Sequence, residues 1–181
     1  YTPPTYLVDT VELGFDLDPD RTIVASRLVM VRNPESVGEG IELHGVNLQL
    51  VSLRMNGKAI YAGDYDISGD MLRIPAAPDE VTLEIETLTS PVKNTTLNGL
   101  YVSNGNFFTQ CEAEGFRSIT YFPDRPDVMA KFTVMLRADK DSAEHDSGKQ
   151  TVWMKADGHV DVPQVMHRAM LALGCDQVMM E

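Results

Sequence analysis

A chain of 181 residues with 43% hydrophobic and 23% charged residues is long enough to bury one substantial core and too apolar to be disordered throughout. Its formal net charge of −12, from 27 acids against 15 bases, argues against nucleic acid and anionic membrane as partners, because phosphate binding needs a basic surface. No apolar run approaches the length of a bilayer span and the opening YTPPTYLVD is no signal peptide, so a cytoplasmic protein is expected.

Most of the chain reads as antiparallel β. Val11, Leu13, Phe15 and Leu17 alternate with Glu12, Gly14 and Asp16, the period of a half-buried strand. Asp18-Pro19-Asp20 turns the chain into Thr22–Val31, apolar on both faces and therefore expected at the centre of a sheet, and Asn33-Pro34 ends it. Leu48–Met55 runs into Asn56-Gly57, the dipeptide that a tight type I′ hairpin turn requires. Tyr65 and Ile67, then Leu72 and Ile74, flank the turn Ser68-Gly69-Asp70. Val81, Leu83 and Ile85 alternate with polar residues, as do Phe132, Val134 and Leu136. Many short strands with regular turn signals predict a sandwich or a curved open sheet.

The tail has another character. Residues 141–150 are polar and read as a loop or linker, and Thr151–Ala156 reads as a further strand carrying the sole tryptophan, Trp153. From Asp161, a plausible N-cap, Val162, Val165, Met166, Ala169, Met170 and Leu173 follow helical spacing up to Gly174, which predicts a short C-terminal amphipathic helix with a Met-rich packing face.

Most catalytic chemistries are excluded by spacing. Asp16, Asp18 and Asp20 open like a calcium loop, but Arg21 stands where glycine is needed and Arg27 where a bidentate Glu is needed. His44, His145, His159 and His167 have no metal-ligand spacing, and there is no H-E-x-x-H, so no metal is expected on this chain. The two cysteines, Cys111 and Cys175, form no C-x-x-C pair and fit reduced thiols; Cys111 reads as a half-buried small side chain rather than a nucleophile. No G-x-S-x-G elbow or Gly-rich phosphate loop is present.

What remains is the run TQCEAEGFR, Thr109 to Arg117, followed by ITYFPDRPDVMAKFT. Gln110, Glu112, Glu114 and Arg117 stand among Phe107, Phe108, Phe116, Tyr121 and Phe122. Two carboxylates beside an amide in aromatic surroundings can form an acidic pocket for a cation such as a peptide's free ammonium; equally, they can be a solvated acidic loop. Arg117, Asp124, Arg125 and Asp127 are expected to form ion pairs that hold the loop, with Pro123 and Pro126 stiffening it.

This stretch closely resembles the N-terminal domain of bacterial aminopeptidase N, of the zinc-dependent gluzincin family. The similarity runs from about Tyr6 to Lys140 and includes YLVDTVELGFDLDPDRTIVASRLVMVRNP, then NTTLNGLYVSNGNFFTQCEAEGFR, then DRPDVMAKFTVMLRADK. The resemblance implies a curved antiparallel β-sandwich domain over residues 1–140, packed on a thermolysin-like catalytic domain, with residues 151–181 only weakly matched. It implies that Glu112 binds the α-amino group of the substrate and that Gln110 lines the first side-chain pocket. It further implies that single residues are hydrolysed from peptide N-termini with a zinc ion and a Glu general base. The zinc motif and the G-A-M-E-N strand of that family are not in this chain, so it is expected to bind no zinc and to be inactive alone. The first residue is Tyr1 rather than Met, which suggests a fragment or a processed product. Two other readings stand beside this one: a stand-alone, non-catalytic β-sandwich binding module derived from the family, and a thiol enzyme using Cys111.

Overall fold

A computed structural model describes residues 1–139 and 149–156. Twelve strands are present among them: β1 (Tyr6–Asp16), β2 (Thr22–Arg32), β3 (Ile41–His44), β4 (Gln49–Met55), β5 (Lys58–Ala59), β6 (Asp66–Ser68), β7 (Met71–Ile74), β8 (Glu80–Thr89), β9 (Gly99–Ser103), β10 (Asn106–Gln110), β11 (Lys131–Asp139) and β12 (Lys149–Ala156). One sheet has seven strands in the order β12-β11-β1-β2-β8-β4-β5; a second has β3-β7-β6; β9 and β10 form a separate hairpin. The pairing is antiparallel except between β1 and β11, which run parallel from Thr10↔Lys131 to Asp16↔Arg137. The fold is thus mainly β with open sheets, as the alternating patterns predict. The expected C-terminal helix and Cys175 lie outside the described residues.

The alternations hold their assigned faces. Val11, Leu13, Phe15 and Leu17 are buried, as are Val81, Leu83, Ile85, Val134 and Leu136. The β1–β2 register slips between Val8 and Thr10. One extra residue there lets Tyr6 and Val8 face inward although their parity is opposite to that of Val11 and Leu13. β2 sits between β1 and β8, at the centre as its composition predicts. Its two faces differ, however: Val24, Leu28 and Met30 are buried, whereas Val31 on the other face is 40% exposed.

That outer face of the large sheet carries a row of opposite charges in register. Glu12 pairs across from Arg27, Arg27 from Glu84, and Glu84 from Arg54. Ion pairs of 3.6 Å (Arg27–Glu12) and 3.4 Å (Arg54–Glu84) satisfy the row, which accounts for a charged but self-compensated surface. The inner face joins Ile41, Leu43, Leu72 and Ile74 of the small sheet, and Ile119 and Tyr121, in one hydrophobic core.

Local turns follow the sequence signals. Asn56 and Gly57 both have positive φ, 51° and 76°, between β4 and β5. Asp18 Oδ1 accepts hydrogen bonds from the N–H groups of Asp20 and Arg21, both at 2.9 Å, so this carboxylate closes its own turn. Asn33, 5% exposed, ends β2 by donating from Nδ2 to the Pro4 carbonyl at 2.8 Å.

Leu83 lies fully buried in β8, between β2 and β4. Leu83→Ala is expected to lower the unfolding free energy by about 2 to 5 kcal/mol through lost transfer energy and a residual cavity. Val37→Ala, at a fully exposed side chain, is expected to stay within about 0.5 kcal/mol. Urea unfolding of the two variants beside the parent chain measures both.

Candidate functional site

β9 and β10 are joined by Asn104-Gly105, again with positive φ at both positions, 50° and 79°. The hairpin is held by a stacked cross-strand pair, Tyr101 and Phe108, with ring centroids 5.5 Å apart. Gln110 is the last residue of β10 and pairs with Gly99. The chain then turns sharply: the Gly115 N–H donates to the Cys111 carbonyl at 2.8 Å, and the Glu112–Ala113 peptide is cis. Gly115 has no alternative at its position. A Cβ there would collide with Asn98 Oδ1, the Gln110 carbonyl and, at 2.8 Å, Cys111 Cα. A short 3-10 helix, Phe116–Ser118, follows.

This turn is moored from behind. Phe116 is buried and meets Phe122 and Phe132 edge-on, with centroids at 5.0 and 5.9 Å. Ile119 and Thr120 are fully buried. The Thr120 hydroxyl lies 3.0 Å from Ser26 Oγ of β2, a buried hydroxyl pair that fixes the segment to the inner face of the large sheet. His44 and Phe122 exchange backbone hydrogen bonds of 2.8 and 3.0 Å, and Val46 N–H donates to the Arg117 carbonyl at 2.8 Å.

The expected ion pairs are present. Arg117 Nε donates to Asp124 Oδ2 at 3.0 Å, the Arg117 N–H reaches the same oxygen at 3.1 Å, and Nη2 reaches the Asp124 carbonyl at 2.8 Å. Both side chains are largely buried, 16% and 15% exposed. Arg117 Nη1 also pairs with Glu114 Oε2 at 3.3 Å. Arg125 makes two bonds to Asp127, at 2.8 and 2.7 Å, and donates to the Thr2 carbonyl. Mutual pairing holds the Asp127 carboxyl below its ordinary range, with Arg125 the main cause.

The two carboxylates of the turn therefore stand in different states. Glu114 is engaged by Arg117; Glu112 is exposed and has no ion pair or side-chain hydrogen bond among the described residues. Gln110, two residues earlier, is half-buried, and its amide likewise has no hydrogen-bond partner among them. The edge is open rather than enclosed: Glu112, Ala113 and Glu114 all face solvent. No three or more His, Cys, Asp or Glu side chains converge to hold a metal among the described residues. No helix among them is long and apolar enough to cross a membrane. Cys111 is half-buried beneath the turn.

The Peptidase M1 N-terminal domain family matches residues 15–152. The chain belongs to that family. Aminopeptidase N of Caulobacter vibrioides is 45% identical over 139 residues, which is 77% of this chain and 16% of that protein. Aminopeptidase N of Escherichia coli K12 is 42% identical over 140 residues, again 77% of this chain and 16% of that protein. The chain thus spans about one sixth of the length of these relatives. Among solved structures, aminopeptidase A of Legionella pneumophila, crystallised with aspartic acid, superimposes with a TM-score of 0.78 at 30% identity. The match covers 87% of this chain and 20% of that one. An M1 zinc metallopeptidase of Deinococcus radiodurans has the same fold, with a TM-score of 0.68 at 14% identity over 84% of this chain and 39% of that one. Within this M1 N-terminal domain, the sheet, the hairpin and the turn after Gln110 form one continuous core.

Sequence reading gave no role to His44, whose β3 strand is too short to show a period. It sits behind the turn with Nδ1 buried and without a hydrogen-bond partner. Burial, and then the nearby charge of Arg117, push its pKa below the ordinary 6.5, while the neighbouring Phe122 carbonyl and the negative charges of Asp124 and Glu114 oppose the shift. A base whose folded pKa is depressed is neutral in the fold but protonated in the unfolded chain once the pH falls below 6.5. Acidification from that point therefore favours unfolding. His44→Leu is expected to flatten this slope, its stability relative to the parent rising as the pH falls from 6.5 towards about 5. Urea midpoints across that range test it, and parallel curves would contradict it.

Proposed function

We propose that this chain is the substrate-gripping N-terminal domain of a zinc-dependent aminopeptidase that removes single residues from peptide N-termini. In this reading Glu112 receives the ammonium of the substrate and Gln110 lines the pocket for its first side chain. The observation that carries it is the unequal state of the two carboxylates: Arg117 engages Glu114, whereas Glu112 stands exposed and unpaired on the same edge as Gln110. A carboxylate there binds a primary ammonium by charge-assisted hydrogen bonds. An internal peptide bond offers no cation, so the contact selects for a free N-terminus. Gln110 adds polar contact without adding charge.

The relatives named aminopeptidase N, and the length this chain lacks relative to them, support a catalytic domain elsewhere in the same polypeptide. In this reading the metal and its hydrolytic chemistry belong to that other domain. A cytoplasmic enzyme acting on peptides, with no nucleic-acid or membrane partner, fits the acidic charge.

Glu112→Gln in the full-length enzyme is expected to raise KM for aminoacyl anilides about tenfold or more, because it removes one charge-assisted contact. An unchanged KM would refute the role given to Glu112. The isolated chain is expected to carry no stoichiometric zinc and to leave the anilide uncleaved. Metal analysis and a rate measurement on pure material check this, and finding both zinc and turnover would overturn the division of labour.

A further inference from the structure

We propose that Arg117 is a positioning residue for amine recognition: it holds Glu114 to one side and fixes the turn, so that Glu112 is the carboxylate of this turn presented to the ammonium. The proposal rests on the assignment of Glu112 to the substrate amine and extends it to a residue that touches no substrate.

Geometry carries the argument. Three separate directions of one guanidinium are in use: Nε to the Asp124 carboxylate, Nη2 to the Asp124 carbonyl, and Nη1 to Glu114. The backbone of the same residue is also held at both ends, its N–H by Asp124 Oδ2 and its carbonyl by Val46. Because Gly115 N–H closes back onto the Cys111 carbonyl, the turn bearing Glu112 is a short loop whose far end is joined to Arg117 through Phe116. Moving Arg117 therefore moves the turn.

Charge gives a second reason. Glu112 and Glu114 lie one residue apart and are both exposed. Arg117 already carries Asp124, so it does not cancel the charge of Glu114, but it holds that carboxylate 3.3 Å from Nη1 while Glu112 is left without an ion pair among the described residues. Without that hold the ammonium is shared between two mobile carboxylates and is bound less tightly at Glu112. Lysine can return the positive charge but cannot supply three donors in fixed directions, so Arg117→Lys isolates geometry from charge.

The test uses the full-length, zinc-loaded enzyme with Arg117→Lys, Asp124→Asn and Glu112→Gln, the first two also combined with the third. Arg117→Lys is expected to raise KM for an aminoacyl anilide about tenfold with kcat and zinc content little changed. In the Glu112→Gln background the same change is expected to add less than about twofold, since the contact it serves is already gone. Asp124→Asn keeps the arginine and loosens its grip, and is expected to act in the same direction and to be masked in the same way. Penalties that simply multiply in the double variants would mean that Arg117 is only structural and would overturn the proposal, as would unchanged KM in folded Arg117→Lys and Asp124→Asn. If Glu112→Gln alone left KM unchanged, the assignment of Glu112 would fall first, and the two failures are thereby distinguished.

Discussion

The arrangement of the candidate site depends on a largely buried ion pair between Arg117 and Asp124. Each partner has little water to fall back on, so most of its hydrogen bonding must be satisfied inside the protein, and the bonds from Nε, Nη2 and the Arg117 N–H do so together. Replacing the whole pair by fitted apolar groups need not cost stability, but removing one member strands the other. Such a pair is better understood as a device for specifying position than as a source of stability. Here it locks the turn after β10 to the segment leading into β11, and Val46 N–H ties the same residue to the chain beyond β3. The turn, the nearby segment that carries Asp124 and the much earlier chain at Val46 thus meet at a single residue.

Behind that pair, the core gives the turn a rigid support. Phe116 meets Phe122 and Phe132 edge-on, an arrangement favoured by the ring quadrupoles. The Ser26–Thr120 hydroxyl contact adds direction where apolar packing has none. His44 shares this space, and its pKa is held below the ordinary value because a proton there would be poorly solvated and close to Arg117. The support for the loop and the lowered pKa of His44 thus both belong to the space around one largely buried arginine.

Much of this was legible in the sequence where one physical rule acted alone. Val11 to Leu17 and Val81 to Ile85 alternate because one face of each strand is buried and the other is wet. Asn56-Gly57 marked its turn because both residues need positive φ. Asn104-Gly105 carries the same signal, but the strand after it does not show itself by alternation, since all five residues of β10 are half-buried. β3 is four residues long and too short to display a period. The slip at Val8 to Thr10 hides the inward turn of Tyr6 and Val8 from any period-2 reading. At the site, the opposite charges of Arg117 and Asp124 were close enough in sequence to suggest a pair. The contributions of Val46 and His44, some seventy residues earlier, depend on tertiary contacts that no local pattern encodes.

An exposed carboxylate is a weak grip on an ammonium ion in water, worth about 0 to 1 kcal/mol, because solvent competes for both charges. Glu112 as it stands is therefore suited to recognition only when a second surface closes over it and lowers the local dielectric. The open edge is consistent with this, since the turn presents Glu112 and Gln110 outward while all of its anchoring lies behind. A carboxylate enclosed by this domain alone would bear a desolvation cost at all times and would need a permanent partner to offset it. Leaving it wet until another wall arrived would postpone that cost to the moment when a cationic substrate is present to balance it. Under the proposed reading, the open edge and the unpaired state of Glu112 would then have one physical reason.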